Sequence, residues 1–437
     1  MKKLIGIIIL LMIVAVLVLL ALTNGTKLQI NPPVTAIGVL TPVQIEVTNP
    51  HGIRRIQGAI EQDGTRYVAF DSSQPAHRFL FWRYHEPTQT LKFEIGKKQA
   101  PPLHDGKAKL IIEAQSNDLR GRTDSIESEV QVITQPPRVT ADGYQHYINQ
   151  GGSELVVFTP AGYWTESGVR VGKYTFRSFS LPGHSDQRFS LFAYAWDLPE
   201  NAVPVVYARN PAGAEVTARF WYKLFLKKFR SRDLEIDDAF LDRVVNQIDP
   251  QGSGDLLSRF LKVNGEMRRQ NNQTLADLRL KTADRFLWSG PFLPLINAAV
   301  ESVFADRRSY IYKGKKVDEQ VHLGFDLARI QHTPVPAAND GRVVWAQNLG
   351  IYGNCVVIDH GYGLQSIYGH LSRIDVKPGD MVKRAQPLGI SGSTGLAGGD
   401  HLHFSMQVDG VQVNPIEWWD EHWLKDRILS KIATQPK

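Results

Sequence analysis

One cysteine, Cys355, serves all 437 residues. An intramolecular disulfide is therefore excluded, and so is a zinc cluster built from thiolates. Long Lys/Arg blocks with interleaved aromatics are also missing, which argues against nucleic acid as a partner. There is no HExxH helix, so that motif supplies no glutamate base. No internal repeat is evident, and the Cys-Trp-Cys pattern of antibody domains is absent. The formal charge of +6 is small for this length; it suits an anionic cell-wall or membrane surface without requiring one.

What is present points to a large folded chain. Hydrophobic residues make up 43% of it, which is ordinary for globular material and excludes wholesale disorder. At 437 residues it exceeds one compact core, so three or four units are expected. Lys2 and Lys3 precede an unbroken apolar run from Leu4 to Leu22, long enough to cross a bilayer as a helix. Ala21-Leu22-Thr23-Asn24 lacks a small-x-small cleavage site, so the run reads as an uncleaved anchor rather than a signal peptide. The two lysines would stay in the cytoplasm, placing the rest of the chain outside it.

The predicted organisation is multidomain and mainly β. Residues 1–26 form a cytoplasmic stub and membrane anchor. Residues 27–135 alternate in the manner of a β-sandwich, immunoglobulin-like in architecture: Val43, Ile45 and Val47 alternate with polar residues. Phe79–Tyr84, Leu91–Ile95, Leu110–Ala114 and Val130–Val132 add short candidate strands. Pro136-Pro137 reads as a linker to a second β-rich, sandwich-like domain, 136–230. Residues 231–303 are a helical segment and connector. There Phe240, Leu241, Val244, Val245 and Ile248 make one apolar stripe, and Leu256, Leu257, Phe260 and Leu261 begin another. Residues 304–420 return to short strands and glycine turns, and 421–437 are a C-terminal tail.

Three histidine motifs fall within about a hundred residues of that last β region. They are His322-Leu323-Gly324-Phe325-Asp326, Tyr368-Gly369-His370-Leu371-Ser372 and His401-Leu402-His403-Phe404. Side chains alternate along a strand, so His401 and His403 project to one face and Leu402 and Phe404 to the other. His322 and Asp326 share a face if their segment is extended. A catalytic zinc takes three protein ligands and keeps one position open. His322, Asp326 and His403 supply a two-His, one-Asp set whose net positive charge would acidify a bound water. His370 and His401 remain as candidates for moving the proton and for stabilising the oxyanion or leaving amine, and their individual roles stay open. His332, His360 and His422 have no partner motif, and Cys355 sits in a buried-strand pattern as a core residue.

Together these residues resemble the lysostaphin/LytM-type zinc metallopeptidases. The matching pieces lie between about Gln320 and Pro415. They include Val321–Ala328, Thr333–Ala337, Tyr352-Gly353-Asn354, Ile358–Gly361, Tyr368–Ser372, Ser391–Gly395 and His401–Phe404. The resemblance implies an antiparallel β domain with a groove across its sheet. It implies one Zn2+ at His322, Asp326 and His403, and His370 and His401 as the catalytic pair. It further implies endopeptidase action on peptidoglycan cross-links or stem peptides, here at the periplasmic face of an inner membrane crossed once. An alternative reading is an autoinhibited or non-enzymatic envelope scaffold, motivated by the long region before the domain. Family members often carry glutamate after the HLHF stretch, where this chain has Ser405; strand parity would let Ser405 line the groove.

Overall fold

The computed structural model describes residues 2–77 and 80–432. Its first element is the helix Lys2–Ala21. The stretch Leu4–Ala21 is long and apolar enough to span a membrane and is not buried against the protein.

The chain folds into two compact units. The first comprises residues 1–138 with 161–166 and 208–216, and the second takes 139–160, 167–207 and 217–437. In the first unit a three-stranded sheet, with Thr41–Thr48 between Lys27–Ile30 and Gln89–Ile95, accompanies a five-stranded sheet. The strand Thr41–Thr48 shows why: Val43, Ile45 and Val47 are buried while their neighbours reach outward. They meet Ile56, Ile60, Leu110 and Ile112 from the larger sheet in one apolar core. One candidate strand is corrected. Phe79 lies outside the described residues, and Phe81–Arg83 form a single 3-10 turn. The run is apolar but has no alternation, and Phe81 alone is buried.

In the second unit, residues 153–158 pair antiparallel with residues 188–193. The core begun there runs on through Trp288, Phe292 and Phe404 to Trp418 and Ile428. The expected helices are Asp238–Ile248 and Leu256–Lys262, continued through Val263–Met267 into Arg268–Asp277. Asp237 and Asp255 cap them, accepting from the backbone N–H of Phe240 and Ser258. Leu241, Val244, Val245 and Phe260 are buried against Tyr310.

Two sheets position the candidate site. One has three strands, with Asp306–Tyr312 between Ser231–Ile236 and Lys315–His322. The other has eight, and its centre runs Phe325–Ala328, Leu402–Val408, Leu364–Leu371, Asn354–Asp359. All three of those pairings are antiparallel.

Candidate metal centre

His322 and Asp326 do not lie on one continuous strand. His322 ends Lys315–His322, and Asp326 sits in the next strand, Phe325–Ala328. The chain changes sheets at Leu323-Gly324. Gly324 is needed there, since a Cβ would stand 2.6 Å from Phe404 O and 2.7 Å from the His403 ring. Register then sets Asp326 opposite His403. The alternation expected of the HxH motif is present: Phe404 packs into the core, edge-on to Tyr368 and tilted against Trp419, while His403 faces the cleft.

The three candidate ligands converge. His322 Nε2 lies 2.9 Å from Asp326 Oδ1 and 2.9 Å from His403 Nδ1, and His403 Nδ1 is 3.1 Å from the same carboxylate oxygen. A backbone carbonyl fixes the tautomer of His322, whereas His403 Nε2 is buried without a hydrogen-bond partner among the described residues. His322 Nδ1–H donates to Val303 O at 3.1 Å, which leaves Nε2 as a lone pair aimed inward. With the His403 proton on Nε2, two imidazole lone pairs and a carboxylate oxygen meet at these separations, an arrangement that a cation among them would relieve. Ligands of one tetrahedral ion at about 2.0–2.1 Å would stand about 3.3 Å apart, so the set fits a single divalent ion closely. These residues therefore form a His/Asp metal site candidate, with all three buried.

His370 and His401 stand beside it, with ring centroids 4.8 Å apart. Each is oriented in the same way: His370 Nδ1–H donates to Thr394 O at 2.7 Å, and His401 Nδ1–H to Gly399 O at 2.8 Å. His401 Nε2 is 3.4 Å from Asp326 Oδ1. His370 adopts a left-handed backbone, φ 64°, a conformation costing a side-chain-bearing residue about 1–2 kcal/mol.

Electrostatics separates the rings. Burial brings His322 down to about 4, and burial also lowers His403. Burial, then the charges of His401 and His403, holds His370 well below the usual imidazole range. Burial opposes protonation of His401 too, but its contact with Asp326 outweighs that and raises it. Asp326 is held well below the ordinary carboxylate range; burial alone would raise it, and the three surrounding imidazoles reverse the effect.

Several site features were not foreseen from sequence. Arg308 donates to Asp326 Oδ2 at 2.7 Å, so the oxygen facing away from the imidazoles has its own cation. Tyr352 packs its ring edge against His403 at 5.4 Å and donates its hydroxyl to Asn272 Oδ1 at 2.8 Å. The helical segment thereby reaches the site, and Arg268 and Asn272 join all five candidate residues in lining a cleft of about 610 Å3. Ser405 does not line that cleft. It is fully buried, with Oγ 2.5 Å from Leu323 O and 2.8 Å from Gln412 Oε1. His360 is a core histidine: Nδ1–H donates to Asp340 O and Nε2 meets Ser366 Oγ, both at 2.7 Å.

An antiparallel β domain with a buried His2Asp centre and two further imidazoles in an open cleft defines a metallopeptidase-like site. Residues 320–415 match the family model of Peptidase family M23, and the chain carries an M23 peptidase domain at its C-terminal end. The DD-carboxypeptidase/endopeptidase Mpg of Neisseria meningitidis is 36% identical over 123 residues, 28% of this chain and 27% of that protein. The peptidoglycan DD-endopeptidase ShyA of Vibrio cholerae is 45% identical over 96 residues, 22% of each chain. The match thus spans about a quarter of these curated relatives. Among solved structures, the catalytic domain of lysostaphin from Staphylococcus simulans is 30% identical with a TM-score of 0.21, covering 32% of this chain and 94% of that one.

Proposed function

We propose that this chain is a membrane-anchored zinc metalloendopeptidase that hydrolyses peptide bonds in peptidoglycan cross-links or stem peptides. The reading is carried by one observation: three potential ligand atoms, His322 Nε2, Asp326 Oδ1 and His403 Nδ1, meet within 2.9–3.1 Å beside two carbonyl-oriented imidazoles in an open cleft. In this reading His322, Asp326 and His403 hold one Zn2+. When bound, the ion supplies Lewis acidity, which acidifies water and polarises a carbonyl.

His370 and His401 divide the proton traffic. A pair of titrating groups pushed in opposite directions separates base from acid. His370 stays unprotonated, and with its Nδ1–H committed to Thr394 O, its Nε2 accepts the proton of the attacking water. His401 holds its proton more tightly and gives it from Nε2 to the leaving amine. Asp326 fixes both the metal ligands and His401, and Arg308 fixes Asp326.

The apolar stretch Leu4–Ala21 with Lys2 and Lys3 before it favours an anchor in the inner membrane with the catalytic domain in the periplasm. A second reading, autoinhibition, is favoured by the helical segment, since Asn271 accepts from Ile351 N–H and Asn272 from the Tyr352 hydroxyl at the cleft wall. Full-length protein in detergent should solubilise purified peptidoglycan, and a chelator should stop it until zinc is restored. Undiminished release by His403→Ala would end the metal assignment. Faster release by Asn272→Ala than by wild type would favour autoinhibition.

A further inference from the structure

The strands Ser231–Ile236 and Asp306–Tyr312 run parallel, and their register sets Arg232 beside Arg308. Both side chains line the cleft, and Arg268 joins them from the helical segment. Like charges directly paired on neighbouring strands are destabilising. Only one of the two is neutralised, Arg308 by Asp326. Arg232 donates to Ser302 Oγ at 2.5 Å, and its nearest carboxylate, Asp306, is 3.9 Å away. Asp306 is already engaged by Arg230, which makes two hydrogen bonds to it. Arg268 is held by the carbonyl and amide oxygens of Asn264, and among the described residues no carboxylate pairs with it. Nε of Arg232 and Nε of Arg308 are buried with no hydrogen-bond partner among the described residues.

This is not a solvated charge run. Along Ser231–Ile236 the acidic neighbours Asp233 and Glu235 are exposed, while Arg232 and Leu234 are half-buried at the cleft. Among the described residues, three acids line the cleft: Asp326 pairs with Arg308, Asp400 accepts from Ser391 Oγ, and the charge of Glu301 acts on His401. Arg232 and Arg268 therefore bring guanidinium charge to the cleft with no carboxylate in direct hydrogen-bond contact among the described residues, beside the paired Arg308.

We propose that Arg232, Arg268 and Arg308 form a carboxylate-recognition subsite, so that the peptide accepted in the cleft bears a free carboxylate near its scissile bond. The proposal rests on the endopeptidase reading for the peptide nature of the substrate. A guanidinium fork matches a carboxylate in geometry as well as charge. Two sources offer that chemistry, a stem peptide's terminal carboxylate and a side-chain carboxylate such as that of diaminopimelate.

The test uses full-length protein and three preparations of one cross-linked muropeptide dimer: all carboxylates free, the side-chain carboxylate amidated, or the terminal one amidated. The wild type should show a KM about 10- to 100-fold higher for one amidated form, which identifies the source, with a smaller change in kcat. Arg232→Gln should abolish that preference by raising KM for the free acid, and Arg232→Lys should keep part of it. Arg268→Gln should weaken it independently. Calorimetric binding of an uncut free-acid muropeptide monomer and its amide gives a readout without turnover. Equal handling of free and amidated forms by the wild type, or a full preference retained by both Arg→Gln variants, overturns the subsite. If no dimer is cut but binding still shows an Arg232-dependent preference, the subsite stands and the endopeptidase reading falls.

Discussion

Asp326→Asn swaps one oxygen for an amide nitrogen and removes a charge from the point where three imidazoles and a guanidinium meet. Two separate losses are expected. The metal set is reduced to two neutral imidazoles. Disturbing groups behind a ligand already costs about 10–100-fold in affinity, so losing the ligand charge itself should cost more than about 100-fold. The second loss is independent of metal. Arg308, whose side chain is 17% exposed, loses its partner at 2.7 Å. Breaking a buried pair costs about 3–5 kcal/mol, and the partial exposure of Arg308 reduces this to about 2 kcal/mol. The assay is metal content after gel filtration with one equivalent of zinc, followed by denaturant unfolding of chelated wild type and variant. The wild type should retain one ion per chain and the variant less than about a tenth of that. The chelated variant should unfold more easily than the chelated wild type. An Asp326→Asn protein that keeps a full equivalent of zinc would refute the ligand assignment. Equal stability of the two chelated proteins would refute the role given to Arg308.

Acid should weaken the fold through His360, which burial brings from 6.5 down to about 4. Between these values the unfolded chain binds the proton and the native one does not, so stability falls as pH drops through this window. The loss is about 3 kcal/mol, and the slope between pH 7 and 4.5 should shrink in His360→Gln. Gly324→Ala should displace the His403 ring, costing about 1–3 kcal/mol and lowering zinc occupancy; full occupancy would show that the ring is free to shift. His370→Ala and His401→Ala should both retain zinc while losing turnover. The acidic limb of the wild-type pH–rate profile should vanish only in whatever activity remains in His370→Ala. Deleting residues 2–23 should move the protein from the membrane to the soluble fraction with zinc content unchanged, and continued membrane association would argue against the anchor.

Local periodicity made much of this architecture readable. The alternation of Val43, Ile45 and Val47 and the helical stripe of Leu241, Val244 and Val245 each report burial by a fixed repeat. The His401/His403 pair obeyed strand parity for the same reason. Parity was less informative where the chain leaves a strand, as between His322 and Asp326, or passes beneath the groove, as at Ser405. The arginines were invisible for another reason. Arg308 meets Asp326 only because a sheet register places it there, and Arg232 stands beside Arg308 although the two lie 76 positions apart in the sequence. Such register is a tertiary outcome with no short-range signature.

The change of sheets at Leu323-Gly324 has a mechanical corollary. His322 belongs to the three-stranded ladder, and Asp326 and His403 to the eight-stranded one. An ion gripped by all three would act as a rivet through two panels that share no backbone hydrogen-bond ladder, so metal loading and closure of the seam become one event. An apoprotein starved of zinc would then be loosest along the cleft itself.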